Sequence, residues 1–283
     1  MKNVIITGGN SGLGFETAKK VARDPDYRVI LACRNAEKAA AAREEIIRET
    51  GNQNIVIMSL DTSSLASVCA LADRVNASGE KVDVLVNNAG ISPMGQSSVT
   101  ADGFELVFAT NYLGHFLLTQ LLLPSMAEHG AIWNITSDMH NPPGGLEWNG
   151  AEALAHPAED DRRKYSYSKL CMIYMTHALS ERLSSAGSTV TVNAFNPGFM
   201  ADTNFSKGNG KAREETIKTT MPERYSTLEK SSDALAALVT TEVQTSGEYY
   251  DRSVNTAKSS ELSYNRENQE ELWQKSLEYC GLQ

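Results

Sequence analysis

Short apolar runs alternating with amphipathic stretches constrain this chain more than any other feature of it. The runs "NVIIT", "RVILAC", "NIVIMSL", "VDVLVNN", "GAIWNIT" and "TVTVNAF" are rich in Val and Ile and too short to be helices. Between them lie "GFETAKKVAR", "AEKAAAAREEIIRE", "SLASVCALADRV" and "FELVFATNYLGHFLLTQLLLPSM", with apolar residues at helical spacing. Strands that are apolar on both faces and separated by helices pair in parallel, because each crossover helix covers a sheet face. The pattern predicts an α/β fold: a single-domain, Rossmann-type, doubly wound parallel sheet with helices on both faces. Nothing in residues 1–197 reads as an interdomain linker, so one domain is expected over residues 1–283.

Two stretches break the rhythm. Residues 138–163, "DMHNPPGGLEWNGAEALAHPAEDDRR", concentrate Pro and Gly between a strand and a helix; residues 198–225 are rich in Gly, Lys and Thr and precede a helix expected near 227–242. Both follow the carboxyl ends of late strands, where open α/β sheets bind ligands. They are read as walls or lids of a substrate pocket.

Charge and cysteine usage exclude other classes. Twenty-six Lys and Arg face 35 Asp and Glu, a formal charge of −9, which argues against nucleic-acid binding. The four cysteines, Cys33, Cys69, Cys171 and Cys280, lie far apart without metal-ligand spacing, so reduced thiols and no metal site are expected. The N-terminal apolar run is too short for a signal peptide, and no run approaches the ~18 apolar residues of a membrane span. These features lead us to expect a soluble, cytoplasmic protein acting on a small molecule, with no integral membrane segment.

"VIITGGNSGLG" reads as a strand, a glycine-rich turn and a helix start. Gly8, Gly12 and Gly14 permit a tight turn, close approach to a pyrophosphate and close helix packing, with Asn10, Ser11 and Leu13 between them. The helix dipole and free N–H groups then point at the phosphate. An ordinary strand-to-helix turn would show the same spacing, so the second strand matters. It ends in "ACRN", placing Arg34 where an NAD binder has the acid that holds the ribose 2′-OH. A guanidinium suits a 2′-phosphate, so NADP(H) is the expected cofactor. Asp61, beside Thr62 at the end of the third strand, either accepts from the adenine amino group or caps the helix beginning near Ser63. Asn88, Ala89 and Gly90, in "NNAG", would let the backbone pass close to the cofactor.

The motifs "TGGNSGLG", "NNAG", "NYLG", "ITS", "YSYSK" and "NPG" stand in the order found in the short-chain dehydrogenase/reductase family, which the whole chain resembles. The resemblance implies a catalytic set of Asn111, Ser137, Tyr165 and Lys169. Helical geometry agrees for the last pair: positions i and i+4 share a face, whereas Tyr167 points elsewhere. Reduction of a carbonyl needs a proton donor for the developing alkoxide, and an ammonium beside a phenol is expected to lower its pKa. Tyr165 is accordingly the acid/base and Lys169 its tuner and a ribose ligand. Ser137, chosen over Thr136, would bond the substrate oxygen, and Asn111 would hold a water in the proton relay. Pro197 and Gly198 would shape the nicotinamide wall, with Thr203 on the carboxamide. His115 and His140 have no assigned partner and are read as structural.

The 28 residues between Ser137 and Tyr165 resemble the retinol dehydrogenase and light-dependent protochlorophyllide reductase branches. In the latter a cysteine follows the Pro-Gly, where this chain has Phe199, which cannot donate a proton. The leading expectation is an NADPH-linked carbonyl reductase or alcohol dehydrogenase for an apolar or aromatic compound, contacted by Met94, Trp148, Phe199, Met200 and Phe205. A protochlorophyllide-type double-bond reductase and a catalytically idle NADP-binding regulator are the alternatives. Homo-oligomers are frequent in the family and are possible here.

Overall fold

Every strand read from the sequence forms, and each is apolar along its length because both sheet faces are covered. The computed structural model of the chain describes residues 1–92, 98–157, 161–201 and 210–282. Its sheet has the order β3-β2-β1-β4-β5-β6-β7-β8, parallel throughout except for the last pair. The strands are β1 (Lys2–Thr7), β2 (Tyr27–Cys33), β3 (Ile55–Ser59), β4 (Val82–Asn87), β5 (Met126–Ile135), β6 (Thr191–Asn196), β7 (Tyr249–Asp251) and β8 (Thr256–Ala257). Side chains alternate between two cores: along β1, Val4 and Ile6 enter one and Ile5 the other.

Helices α1 (Gly12–Val21), α2 (Ala36–Thr50) and α9 (Leu228–Thr240) cover the first face through residues such as Leu13, Ile46 and Leu235. The second face is covered by α3 (Leu65–Ser78), α5 (Gly114–Leu122), α7 (Lys164–Ser185) and α10 (Arg266–Tyr279), through Val68, Phe116, Leu170 and Trp273. The helix α4 (Leu106–Phe108) continues into α5 through a π turn at Ala109–Leu113. By length and composition the stretch Leu106–Ser125 is apolar enough to cross a membrane, contrary to the expectation that no run comes near that limit. Its most apolar window is 78% buried inside the protein, which accounts for its composition as a core helix.

The described parts of both insertions contain regular elements. Residues 138–163 hold a 3₁₀ turn at Asp138–His140 and the short helix α6 (Ala151–Ala155), and the second insertion contains α8 (Gly210–Thr220). β7 and β8 were not expected, because strands of three and two residues are too short to show periodicity.

Helix α5 approaches the end of β3 closely. A Cβ on Gly114 would lie 2.0 Å from the carbonyl oxygen of Thr62, a backbone atom that cannot swing aside. Gly114→Ala should therefore destabilise the protein by about 1–3 kcal/mol through overpacking. Urea unfolding should show a lower midpoint with an unchanged slope; an unaltered midpoint would mean that helix and turn do not meet.

Candidate active site

Strand order reverses between β1 and β4, and a cleft opens there at the carboxyl ends of the strands. Its volume is about 1810 Å³, above the ~300–1,000 Å³ of a single small-molecule pocket, so a dinucleotide and a second ligand both have room. At one end lies the glycine turn. Gly8 and Gly12 have φ of 65° and 55°, and a Cβ on Gly14 would sit 2.8 Å from the Gly8 carbonyl oxygen. The first two shape the turn, and the third lets α1 pack on it. Ser11, the N-cap of α1, makes no side-chain cap bond, so the N–H groups of the first turn are left for a ligand. Asn10, Ser11, Gly12 and Leu13 all line the cleft, and this arrangement fits a pyrophosphate.

Arg34, with its side chain 72% exposed, stands at the adenosine end with Nη1 3.7 Å from Asp61 Oδ2. Asp61 Oδ1 accepts from the Ser63 amide (3.0 Å) and hydroxyl (2.6 Å), while Ser64 rather than Asp61 caps α3. Lys38, one turn into α2, also lines this end and escaped the sequence reading. Two cations there suit a 2′-phosphate. Thr62, Asn88, Ala89 and Gly90 line the neighbouring wall.

Beneath that wall the Thr7 hydroxyl accepts from the amides of Asn88 and Ala89, each at 2.8 Å, and lies 2.9 Å from His115 Nε2. His115 Nδ1 is 3.0 Å from the Asn111 carbonyl and so carries the proton; Nε2 then accepts the Thr7 proton. Burial pushes the His115 pKa down to about 4, which keeps the ring neutral and serves this pattern.

The other end of the cleft holds the reacting groups. Ser137, just past β5, is hydrogen-bonded to the phenol of Tyr165 on the first turn of α7. Thr136 is turned away and donates to the Lys169 carbonyl at 2.8 Å. Lys169 lies over the Tyr165 ring, 5.7 Å from its centre, and its ammonium donates to the Ile135 carbonyl at 2.9 Å. Tyr167 faces out of the cleft, its hydroxyl donating to the Glu147 carbonyl at 2.9 Å.

Two expectations need correction. The phenol of Tyr165 is not lowered: burial raises it, offset in part by Ser137, since the Lys169 charge sits over the ring and is bonded elsewhere. The Asn111 side chain is held by Ile91 and Ser168: Oδ1 accepts from the Ile91 amide (2.8 Å), and Nδ2 donates to the Ile91 carbonyl and Ser168 Oγ (3.0 Å each), which leaves the second Oδ1 lone pair for a further donor. Trp148 lies away from the cleft, packed on Tyr174 with its indole N–H donating to Glu271 at 2.7 Å. Pro197, Gly198, Phe199 and Met200 do line the cleft, whereas Met94, Thr203 and Phe205 fall outside the described residues. The sequence reading also missed Asp138 and Thr110, both on the cleft wall.

Sheet order, glycine turn and cleft together define a Rossmann-type nucleotide-binding protein. The short chain dehydrogenase family model matches residues 2–147. Human retinol dehydrogenase 13 is 35% identical over 290 aligned positions, spanning 100% of this chain and 85% of that protein. Polyprenol dehydrogenase of Danio rerio is 34% identical, over 99% of this chain and 87% of that one. Among solved structures, an uncharacterized protein from Mycobacterium paratuberculosis superposes with a TM-score of 0.76 at 28% identity, covering 99% of this chain and 94% of that one. A short chain dehydrogenase from Burkholderia cenocepacia in complex with NADP gives 0.69 at 24% identity (88% and 95%), a likeness of fold. The chain belongs to the short-chain dehydrogenase/reductase family of oxidoreductases, with retinol dehydrogenases among its relatives.

Burial pushes Lys169 down to about 8 from 10.5. Because the folded value is the lower one, the cost of the buried charge is present below about 8. It is relieved as pH rises toward 10.5, where the unfolded chain also loses its proton. Relative to Lys169→Met, the wild type should therefore gain stability between those two pH values. Urea titrations of both proteins across the window check this; a constant difference would contradict it.

Proposed function

We propose that this protein interconverts a carbonyl and an alcohol on an apolar or aromatic small molecule, with NADP(H) as cofactor and Tyr165 as acid/base. The observation that carries the reading is the Ser137–Tyr165 hydrogen bond at the end of a glycine-turned nucleotide cleft, with Lys169 on the same helix face. Relatives named for retinol and polyprenol, both apolar alcohols, support the substrate class, as do Met139, Phe199, Met200, Ile217 and Met221 on the cleft wall. When bound, the nicotinamide supplies or removes a hydride at carbon.

The chain's own residues do the rest. Arg34 and Lys38 hold the 2′-phosphate by charge-assisted bonds, and the α1 amides hold the pyrophosphate. Ser137 fixes the substrate oxygen beside Tyr165. The buried phenol keeps its proton through neutral pH and yields it once an alkoxide, a far stronger base, develops beside it. The ammonium of Lys169, already within the same pocket, favours the phenolate left behind. Phe199 on the wall offers no proton, which disfavours a double-bond reduction of the protochlorophyllide type.

NADPH should bind at least ~10-fold tighter than NADH, the value of a charge-assisted bond, and titrations giving equal affinities would remove the NADP assignment. Tyr165→Phe should keep NADPH binding while turnover falls by ~10²–10⁴-fold or more. Tyr167→Phe loses its bonds to the Glu147 carbonyl and the Asn149 amide, both outside the cleft, and should change the rate little. A screen of carbonyl compounds following NADPH absorbance, then both variants on one substrate, decides the matter: an inactive Tyr167→Phe with an active Tyr165→Phe would sink the reading.

A further inference from the structure

A carboxylate stands behind Ser137 that the proposed chemistry leaves unused. Asp138 lines the cleft, and its Oδ1 accepts from Ser137 Oγ at 3.3 Å. Its Oδ2 is buried without a hydrogen-bond partner, 3.8 Å from Arg252 Nη1. The surroundings hold this group in place. Asn196, at the end of β6, accepts from the Asp138 amide at 3.1 Å and from the Gly198 amide at 2.9 Å, and its Nδ2 donates to Asp251 Oδ1 at 2.8 Å. Arg252 pairs with Asp251 and lies across Gly198, where a Cβ would come within 2.7 Å of the Arg252 Cδ. Arg252 itself has φ of 54°, a left-handed conformation that is strained for a residue other than glycine and needs a rigid setting. The charges facing Asp138 are Arg224 and Arg252, which favour its ionised form, and Asp251, which opposes it; burial raises its pKa, and the hydroxyl of Ser137 lowers it.

A serine hydroxyl has one proton and two lone pairs. The Ser137 proton goes to Asp138 Oδ1 at 3.3 Å, and its oxygen accepts from the Met139 amide at 3.1 Å.

We propose that Asp138 is a positioning residue that takes the only proton of Ser137 and thereby biases the site toward the hydroxyl form of its substrate. This rests on the proposed carbonyl–alcohol chemistry and names which partner of that pair the site holds better. An alcohol donates to the second lone pair of Ser137 Oγ and accepts from the phenol, leaving the Ser137–Asp138 bond intact. A carbonyl oxygen can only accept. To be held by both hydroxyls it must draw the Ser137 proton away from a carboxylate, breaking a charge-assisted bond. Removing the carboxylate frees that proton for the carbonyl.

Dead-end complexes test this without turnover. Benzaldehyde with the NADP⁺-loaded enzyme and benzyl alcohol with the NADPH-loaded enzyme cannot react, and calorimetry gives a Kd for each. In Asp138→Leu the aldehyde should tighten about tenfold relative to the alcohol, the worth of one recovered hydrogen bond. Asp138→Ala serves the same purpose should the leucine variant not fold. Asp138→Asn keeps a side-chain oxygen for the Ser137 proton and should stay within about twofold of the wild-type ratio. A purely structural role would weaken both ligands together, so a ratio unchanged in the leucine and alanine variants overturns the proposal. An asparagine variant that moves as far as leucine overturns it too. If neither probe binds the loaded wild type, the reading of the cleft falls and this inference with it. A ratio that shifts as expected in an enzyme whose Tyr165→Phe variant turns over normally supports Asp138 and discards only Tyr165 as the acid.

Discussion

The hydroxyl of Thr7 ties together the three elements on which the cleft depends. It sits at the carboxyl end of β1, accepts the Asn88 and Ala89 amides that follow β4, and gives its proton to His115 on α5. Strand-order reversal between β1 and β4 creates the crevice, and the turn after β4 presents two amides, those of Asn88 and Ala89, to the end of β1. Thr7 closes both with one side chain and sets the Gly8 turn against Ala89, whose Cα would be 3.1 Å from a Cβ at Gly8. His115 passes the constraint to the Asn111 carbonyl in the π turn, and the Asn111 amide passes it to Ile91 and to Ser168 on α7. Ser168 Oγ donates to the Tyr165 carbonyl at 2.7 Å, so the nucleotide end and the reacting end share one continuous polar frame. Every member is buried or nearly so, which makes an unsatisfied partner costly and the frame stiff.

At the reacting end burial, rather than the neighbouring ammonium, sets the character of the phenol. An i,i+4 spacing guarantees a shared face but not contact between functional atoms. Lys169 reaches past the ring to the last carbonyl of β5, where its ammonium finds an acceptor in a site with little water. Desolvation then acts on both partners in opposite senses, raising the phenol and lowering the amine. Free tyrosine and lysine titrate close together, and burial drives this pair apart, so the phenol keeps its proton in the free protein.

The fold was legible because its information is local and repeated: six strands and the intervening helices each announce themselves by period. The placing of the glycine turn and Arg34 along one cleft was legible for the same reason, since Gly8, Gly12, Gly14 and Arg34 lie within one βαβ unit. Lys38 follows from Arg34 by a single helical turn and was available to the same argument. The failures share a different cause. Asp138 meets Arg252 across more than a hundred residues, and β7, which delivers Arg252, is three residues long and has no period to read. The π turn around Asn111 is a consequence of packing rather than of helix propensity. Trp148 was misread because an aromatic residue in a Pro/Gly-rich insertion looks the same in sequence whether it faces a ligand or a neighbouring helix.

That helix is α10, and its contacts explain how the chain's last residues come to bear on a cleft they never line. Glu271 accepts from the Trp148 indole with one oxygen and from the Ala151 amide with the other, at 2.7 and 2.9 Å, fastening the first insertion by a side-chain and a backbone bond at once. His140, at the base of the insertion, accepts the Ser260 amide at 3.0 Å and packs edge-on against Tyr249 of β7. Its other nitrogen is held by the Ser137 carbonyl at 2.6 Å. Tyr279 donates to Glu152 at 2.7 Å as well, so the tail is bonded to the insertion through Glu271, Ser260 and Tyr279, the second of these next to Ser137. The same helix also reaches the polar frame, since Ser276 Oγ lies 2.8 Å from the Tyr112 hydroxyl in the π turn and Trp273 packs edge-on against Phe116 of α5.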